Sequence, residues 1–489
     1  MREVIENACR CAELEAENFR LKNEISHLRK HFFGQKRERF IPEKNDNQLT
    51  FLNLPVSDAP LPKTETISYT RRSSVKKTGK PSRNLLPAHF KRNEIIIEPD
   101  QDITGLKKIG EEITEELEFE PGKVYVNRYV RPKYAAVENS GVIIGLLPSR
   151  PIEKGIAGPG LLAHINISKF VDHLPLYRQQ QQFKRLGVDL AASTLNGWVR
   201  STYELTKPLV TLFKSAVLES GYIMADETPI MVQDPHVKGK NHKGYYWVYY
   251  DPLFKKVFFD YQKGRSRHGP NGVLEKFEGY LQTDGYAGYN DIGKKNGIIQ
   301  LGCMAHARRY FNDARQSDPE RADWYLHHIQ LLYKIERHAR EHLMTHEKRL
   351  FERQKHSMAV IDVIEKQLQT DIQNALPKSD IGKALSYMHN QWPRLRVYLT
   401  DGKLEIDNNL VENAIRPVAL GRKNYLFAGS HDGALWAAGI YTLLANAKLH
   451  DVEPFEYLRD ILKRLPDHPY KKLDQLLPEN WKKLRAQEN

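Results

Sequence analysis

Tyr222-Ile223-Met224-Ala225-Asp226-Glu227-Thr228-Pro229-Ile230-Met231-Val232 is a run too apolar for a surface loop, and it encloses a carboxylate. Its bulky residues read as a β-strand. A charged Asp226 inside such a strand is costly unless it is paired or faces a metal ion. Working outward, Tyr245 to Asp251 and Lys256 to Tyr261 form a hairpin around Asp251-Pro252. Tyr280 to Asp284 is a fourth strand and Gly297 to Leu301 a fifth. Charged, helix-forming sequence then runs from about Ala305 to Leu399, and a further helix follows Asp407, a good N-cap. Strands that can pair antiparallel, later strands with crossovers and a long helical interruption predict an α/β sheet domain with a helical insertion.

The chain has 489 residues, which suggests two to four domains. Lys and Arg number 74 against 61 Asp and Glu, a net charge of +13, and the sequence pI is near 9.3. That excess points to a polyanionic partner such as nucleic acid. A hydrophobic fraction of 40% excludes wholesale disorder. The three cysteines, Cys9, Cys11 and Cys303, give no disulfide framework, so an intracellular, cytoplasmic protein is expected. No apolar run reaches membrane-spanning length, Val142 to Leu147 being strand-sized, and no secretory signal is expected at the N-terminus.

Residues 1–40 read as a coiled-coil helix. Leu14, Leu21 and Leu28 recur by sevens, with Cys11, Asn18, Ile25 and Phe32 at the companion positions. The helix either dimerises or packs on its own chain. Residues 41–93 lose the period and form a flexible basic linker. From Thr66 to Asn93 there is no acidic residue, and Arg71, Arg72, Lys76, Lys77, Lys80 and Arg83 are candidate DNA-phosphate contacts. Residues 94–150 alternate as a small β-module, with strands at Ile95 to Ile97, Lys123 to Val126 and Val142 to Leu147. Residues 151–215 are helical: one helix opens at Leu174-Pro175 and runs through Leu186, Gly187-Val188-Asp189 turns, and Ser193 or Thr194 caps the next. This is a helix-turn-helix-like, DNA-reading region or an ordinary helical hairpin. The sheet domain takes residues 216–310 and 401–450, the insertion residues 311–400, and the tail residues 451–489.

Asp226, Asp284 at the end of its strand, and Glu412 one turn into the late helix are the candidate acids. Singly each has a bland reading as a cap, a turn or a solvated side chain. Together they suit two closely spaced Mg2+ or Mn2+ ions, hard cations that take oxygen ligands and promote phosphodiester displacement. No phosphate-binding loop, dinucleotide glycine fingerprint or nucleophile elbow is present.

Several further motifs stand in order. They are Met224-Ala225-Asp226-Glu227-Thr228-Pro229, Gln282-Thr283-Asp284-Gly285-Tyr286, and Asp407-Asn408-Asn409-Leu410-Val411-Glu412-Asn413-Ala414-Ile415-Arg416-Pro417. Lys169-Phe170-Val171-Asp172-His173-Leu174-Pro175-Leu176-Tyr177-Arg178-Gln179, Gly421-Arg422-Lys423-Asn424-Tyr425-Leu426-Phe427 and Leu476-Leu477-Pro478-Glu479-Asn480-Trp481 complete them. With these the chain resembles the insertion-sequence 66 transposase family over nearly its whole length. The resemblance implies a DDE transposase with an RNase H-like catalytic core and Asp226, Asp284 and Glu412 as catalytic, metal-holding acids. By analogy Arg416, Arg422 and Lys423 contact DNA near them. It further implies double-stranded DNA as partner, an oligomer working on paired element ends, small accessory proteins of the same element, and association with the nucleoid. A catalytically silent DNA-binding descendant and a host nuclease of the same superfamily remain alternatives.

One departure stands out. Family members commonly carry a Cys-x-x-Cys zinc module, whereas residues 94–150 contain no cysteine. No zinc is therefore expected, and Cys303-Met304-Ala305-His306 is expected to be structural.

Overall fold

The computed structural model describes residues 122, 124–127, 133–135, 142–144, 148–153, 155–233 and 241–488. The chain divides into two units, Phe40–Val130 and Met1–Arg39 with Arg131–Asn489. The coiled-coil helix, the basic linker with its six candidate cations, and most of the β-module lie outside the described residues. Residues 124–127 have no regular structure where a strand is predicted; Val124, Tyr125 and Val126 are exposed and pair with no described strand. Two short strands, β1 (Lys133–Ala135) and β2 (Val142–Ile144), pair antiparallel.

Three helices follow: α1 (Pro159–Phe170), α2 (Leu176–Arg185) and α3 (Ala192–Leu218). Pro159 starts α1, where a missing N–H costs nothing. Gly187 ends α2 with φ +81°, a conformation that favours glycine. The cap of α3 falls on Ala191 without a side-chain bond, so Ser193 and Thr194 sit inside its first turn. Leu195, Trp198, Val199 and Tyr203 give α3 a buried stripe, while Ser193, Asn196, Arg200 and Glu204 lie toward its open side.

The centre is a mixed sheet. Its strands are β3 (Tyr222–Gln233), β4 (Asn241–Asp251), β5 (Lys256–Gln262), β6 (Gly279–Gln282) and β7 (Ile298–Leu301). They stand in the order β5-β4-β3-β6-β7. The first three form an antiparallel meander, and β6 and β7 join parallel to β3. The helical stretch after β7 resolves into α6 to α10 once two short helices, α4 (His268–Val273) and α5 (Asn290–Gly293), are counted between the strands. These are α6 (Met304–Ala314), α7 (Pro319–Glu341), α8 (His346–Glu352), α9 (Met358–Asn374) and α10 (Asp380–Leu395). The late helix is α11 (Asn409–Tyr425), followed by β8 (Phe427–Ala428), α12 (His431–Leu449), α13 (Pro454–Arg464) and α14 (Pro478–Glu488). α11 begins at Asn409, so Asn408, not Asp407, holds its N-cap position, without a side-chain bond; Asp407 accepts the Tyr333 hydroxyl at 2.7 Å and the Asn409 N–H at 3.0 Å.

Along one edge β3 is paired with β4 over residues 224–233; along the other its neighbours change. β6 pairs with residues 222–224 and β8 with residues 231–232. Between them the edge is open, and there Pro229 sits with no N–H to lose. The opposite sheet edge is closed by α12. Asn446 accepts the Val257 N–H at 3.0 Å and donates to its carbonyl at 2.7 Å, while Thr442 accepts the Phe259 N–H at 3.0 Å. Side chains of a buried helix thus stand in for the missing strand. Replacing Asn446 by Leu orphans both Val257 groups and is expected to cost about 2–4 kcal/mol by denaturant unfolding. Unchanged stability would mean that this edge is satisfied otherwise.

Candidate active site

Register brings the two aspartates together. Tyr222, Ile223 and Met224 of β3 stand level with Tyr280, Leu281 and Gln282 of β6. Two residues on, Asp226 and Asp284 come level just where β6 has ended. The Asp284 carboxylate accepts the Tyr286 N–H at 2.8 Å, and Gly285 turns the chain with φ +91°. A side chain at Gly285 would collide with Gln391 of α10, and Tyr387 of the same helix donates to the Asp284 carbonyl at 2.6 Å. The helical insertion therefore clamps the loop carrying the second acid. α11 packs on β3 at its open edge and delivers Glu412. Asp226, Asp284 and Glu412 line one open cleft of about 330 Å³, with Glu227, Arg265, His306, Arg309 and Arg422 around them.

The electrostatics are those of acids gathered without enough countercharge. Burial, then the neighbouring Glu227, Asp284 and Glu412, push the Asp226 carboxyl well above the ordinary carboxylate range. Burial also raises Glu412, opposed by Arg309, whose guanidinium lies 3.7 Å away, and helped by Asp407 and Asp284. Burial raises Glu227 despite its bond to Arg265 at 2.7 Å. Two buried atoms at the centre, Glu412 Oε1 and His306 Nδ1, have no hydrogen-bond partner. All three acids offer hard oxygen donors, and a bound divalent cation would reverse the penalty on their charged forms. The donor set fits such an ion.

The predicted cations divide. Arg416 and Lys423 are exposed on α11. Arg422 is tied inward, donating to the Thr228 hydroxyl at 2.8 Å and the Pro229 carbonyl at 2.7 Å, so it fastens α11 into the open edge of β3. Four ionisable residues of the cleft were absent from the predicted site. Glu227 adjoins Asp226, and Arg265 stacks over the Tyr286 ring at 3.7 Å. His306 and Arg309 come from α6. The Cys-x-x-His spacing flagged His306, whereas nothing local marks Arg265, which reaches the cleft from the chain after β5.

Comparison with known proteins gives the family. Residues 154–435 match the Transposase IS66 family, and residues 442–478 its C-terminal element. The chain belongs to the IS66 transposase family. Residues 20–95 match the module described as Transposase C of IS166 homeodomain. Among curated relatives are the uncharacterized proteins y4jD and y4qI of Sinorhizobium fredii. The first is 32% identical over 94% of both chains, and the second 32% identical over 92% of this chain and 86% of its own. No solved structure matches. The chain is thus a transposase with DNA-binding elements, and none of its described helices is long and apolar enough to cross a membrane.

The family corrects one expectation. Residues 101–135 match the zinc-finger binding domain of transposase IS66, which overturns the expectation of no zinc. That expectation rested on the missing cysteines alone, whereas the match spans the stretch regardless of them. The donor atoms of Cys303, His306 and Glu412 moreover lie within 4.8 Å of one another, a grouping able to hold a metal ion.

The third acid depends on a buried charge cluster. Arg353, wholly buried in a π-type turn after α8, donates to both Glu336 oxygens and to the carbonyls of Tyr398, Asp401 and Leu404, at 2.7 to 2.9 Å. Arg349 bridges Glu336 at 2.6 Å and Glu405 at 2.8 Å. The loop so gripped leads straight into α11. Arg353→Met leaves Glu336 facing one cation and three carbonyls unpaired, and is expected to cost about 3–5 kcal/mol by denaturant unfolding. A loss within about 0.5 kcal/mol would show the cluster to be dispensable. Asp226→Asn should do the opposite. Because the folded-state pKa of Asp226 is raised, its ionised form costs stability, increasingly as pH rises through the carboxylate range. The metal-free variant should melt at or above the wild-type temperature, by a margin larger at pH 8 than at pH 5. A lower melting temperature at pH 8 would refute the sign.

Proposed function

We propose that this transposase binds the ends of its element and cuts and joins DNA through metal-dependent phosphodiester chemistry, with Asp226, Asp284 and Glu412 as the metal-holding acids. The observation that carries the reading is their convergence: level positions on adjoining parallel strands, and a helix seated in the open edge beside them. An antiparallel meander extended by two parallel strands, with acids at the strand ends and on a late helix, supports an RNase H-like core.

Two Mg2+ or Mn2+ ions, when bound, would activate the attacking oxygen and stabilise the leaving one. The protein's part is positioning. Asp226 is fixed by the most heavily paired strand, Asp284 by its turn and by α10, and Glu412 by the Arg353 cluster. Arg265 and Arg309 lie where a scissile phosphate would bring negative charge, and the exposed Arg416 and Lys423 continue the basic surface along α11. Water attacks the phosphodiester at the element end, breaking the P–O bond to give a free 3′-hydroxyl. That hydroxyl then attacks a phosphodiester of the target strand, forming a new P–O bond as the target's own 3′-oxygen leaves.

Around this core, the N-terminal heptads would dimerise the chain and Arg71, Arg72, Lys76, Lys77, Lys80 and Arg83 would hold the DNA backbone. The outer face of α3 would read sequence as the second helix of a helix-turn-helix. An oligomer on paired ends, accessory proteins of the element and residence at the nucleoid complete the proposal. With duplex DNA carrying the element's ends and Mg2+, Asp226→Asn, Asp284→Asn and Glu412→Gln should each lower cleavage by about 10³-fold or more while leaving end binding within a few-fold. Wild-type-like cleavage by any one of them removes that residue from the assignment.

A further inference from the structure

The geometry points to a second metal position, for a borderline cation such as Zn2+, built from Cys303, His306 and Glu412. It rests on the proposed reading only in that Glu412 would be shared between the two positions.

The starts of two helices are pinned together here. Met304 at the beginning of α6 donates its N–H to the Ile406 carbonyl at 3.1 Å, and Asn408 at the cap of α11 donates to the Cys303 sulfur at 3.4 Å. Cys303 caps α6, His306 lies in its first turn, and Glu412 lies in the first turn of α11. Their donor atoms therefore converge, all within 4.8 Å, with His306 Nδ1 3.8 Å from Glu412 Oε1. Both of those atoms are buried and have no hydrogen-bond partner, a cost that a native interior seldom leaves unanswered. Donors around a tetrahedral zinc stand about 3.3–3.7 Å apart, so a contraction of about 1 Å or less would close the site.

The chemistry selects the ion. One sulfur, one imidazole nitrogen and one carboxylate oxygen suit Zn2+ or Co2+ far better than Mg2+, and three protein donors leave a fourth position for water. Cys303 is fully buried beside Glu412 and offers the one sulfur donor of the group. On binding, the S–H proton goes to solvent as the sulfur–metal bond forms. The position is distinct from residues 101–135, which hold neither cysteine nor histidine. Because Glu412 cannot serve both sites fully, zinc here would withdraw an acid from the cleft and slow DNA cleavage.

The test uses the full chain, stripped of metal with a chelator and titrated with Co2+. Expected are tetrahedral d–d bands and a sulfur-to-cobalt charge-transfer band saturating at one equivalent and bleached by Zn2+. Cys303→Ser should lose the charge-transfer band, His306→Gln should weaken Co2+ binding at least tenfold, and Asp226→Asn should keep both band and affinity. His306→Gln, at a partly exposed side chain, carries the test should Cys303→Ser fail to fold by circular dichroism. No sulfur band, a band that survives Cys303→Ser, or undiminished affinity in His306→Gln overturns the inference. The band in a wild type that cannot cleave end-bearing DNA with Mg2+ would sink the cleavage reading alone, and cleavage without the band would sink the zinc position alone.

Discussion

The open edge of β3 is the constraint on which the site depends. A central strand normally has a partner on both sides along its length, but here β6 releases it after Met224 and β8 takes it up only at Met231. The intervening backbone must be satisfied by something other than a strand, and the Arg422 guanidinium supplies that at the Pro229 carbonyl while also bonding the Thr228 hydroxyl. Pairing between β3 and β6 over Asp226 would leave no room for α11 beside it. The gap therefore admits both the helix that carries Glu412 and the cleft between them. Pro229, a poor residue for a central strand, guards the gap because it offers no N–H for β6 or β8 to extend onto.

Around that gap the molecule spends its long-range contacts on holding helices at fixed angles to the sheet. The insertion between β7 and α11 works as a clamp at two points. Tyr387 and Gln391 of α10 close on the Asp284 turn, and the Glu336–Arg349–Arg353–Glu405 cluster grips the segment before α11. Burying Arg353 and Glu336 together gives up solvation that hydrophobic side chains would not lose, so the cluster is better understood as fixing one geometry than as adding stability. The acids themselves run the other way. Asp226 and Glu412 are held where their charged forms are disfavoured, which is what a site built for a cation should look like before the cation binds.

The sheet was legible in the sequence because its strands announce themselves through bulky apolar side chains, and Asp226 stood out against that background. Asp284 and Glu412 were legible as a strand end and a first helical turn. The two-residue strand β8 was not, since no pattern can show in Phe427-Ala428 alone. Nor was the closing of the β5 edge by Asn446 and Thr442, nearly two hundred residues away in sequence, or the Arg353 cluster. Those contacts arise only when distant elements meet, and their residues look like ordinary surface positions on their own helices. Arg422 illustrates the same limit: basic context suggests a DNA contact, whereas tertiary structure turns it onto β3. The expectation of no zinc failed for a different reason: it rested on the missing cysteines of residues 94–150, while residues 101–135 match the family's zinc-finger domain all the same.

The most direct measurement is an anomalous-scattering map from crystals of the protein grown with Mn2+ and DNA carrying the element's ends. Two manganese peaks about 3.5–4 Å apart, flanked by Asp226, Asp284 and Glu412 and lying against a phosphate, are the predicted result. Manganese bound elsewhere, with these three carboxylates free of metal in a DNA-bound complex, would contradict the assignment of the cleft.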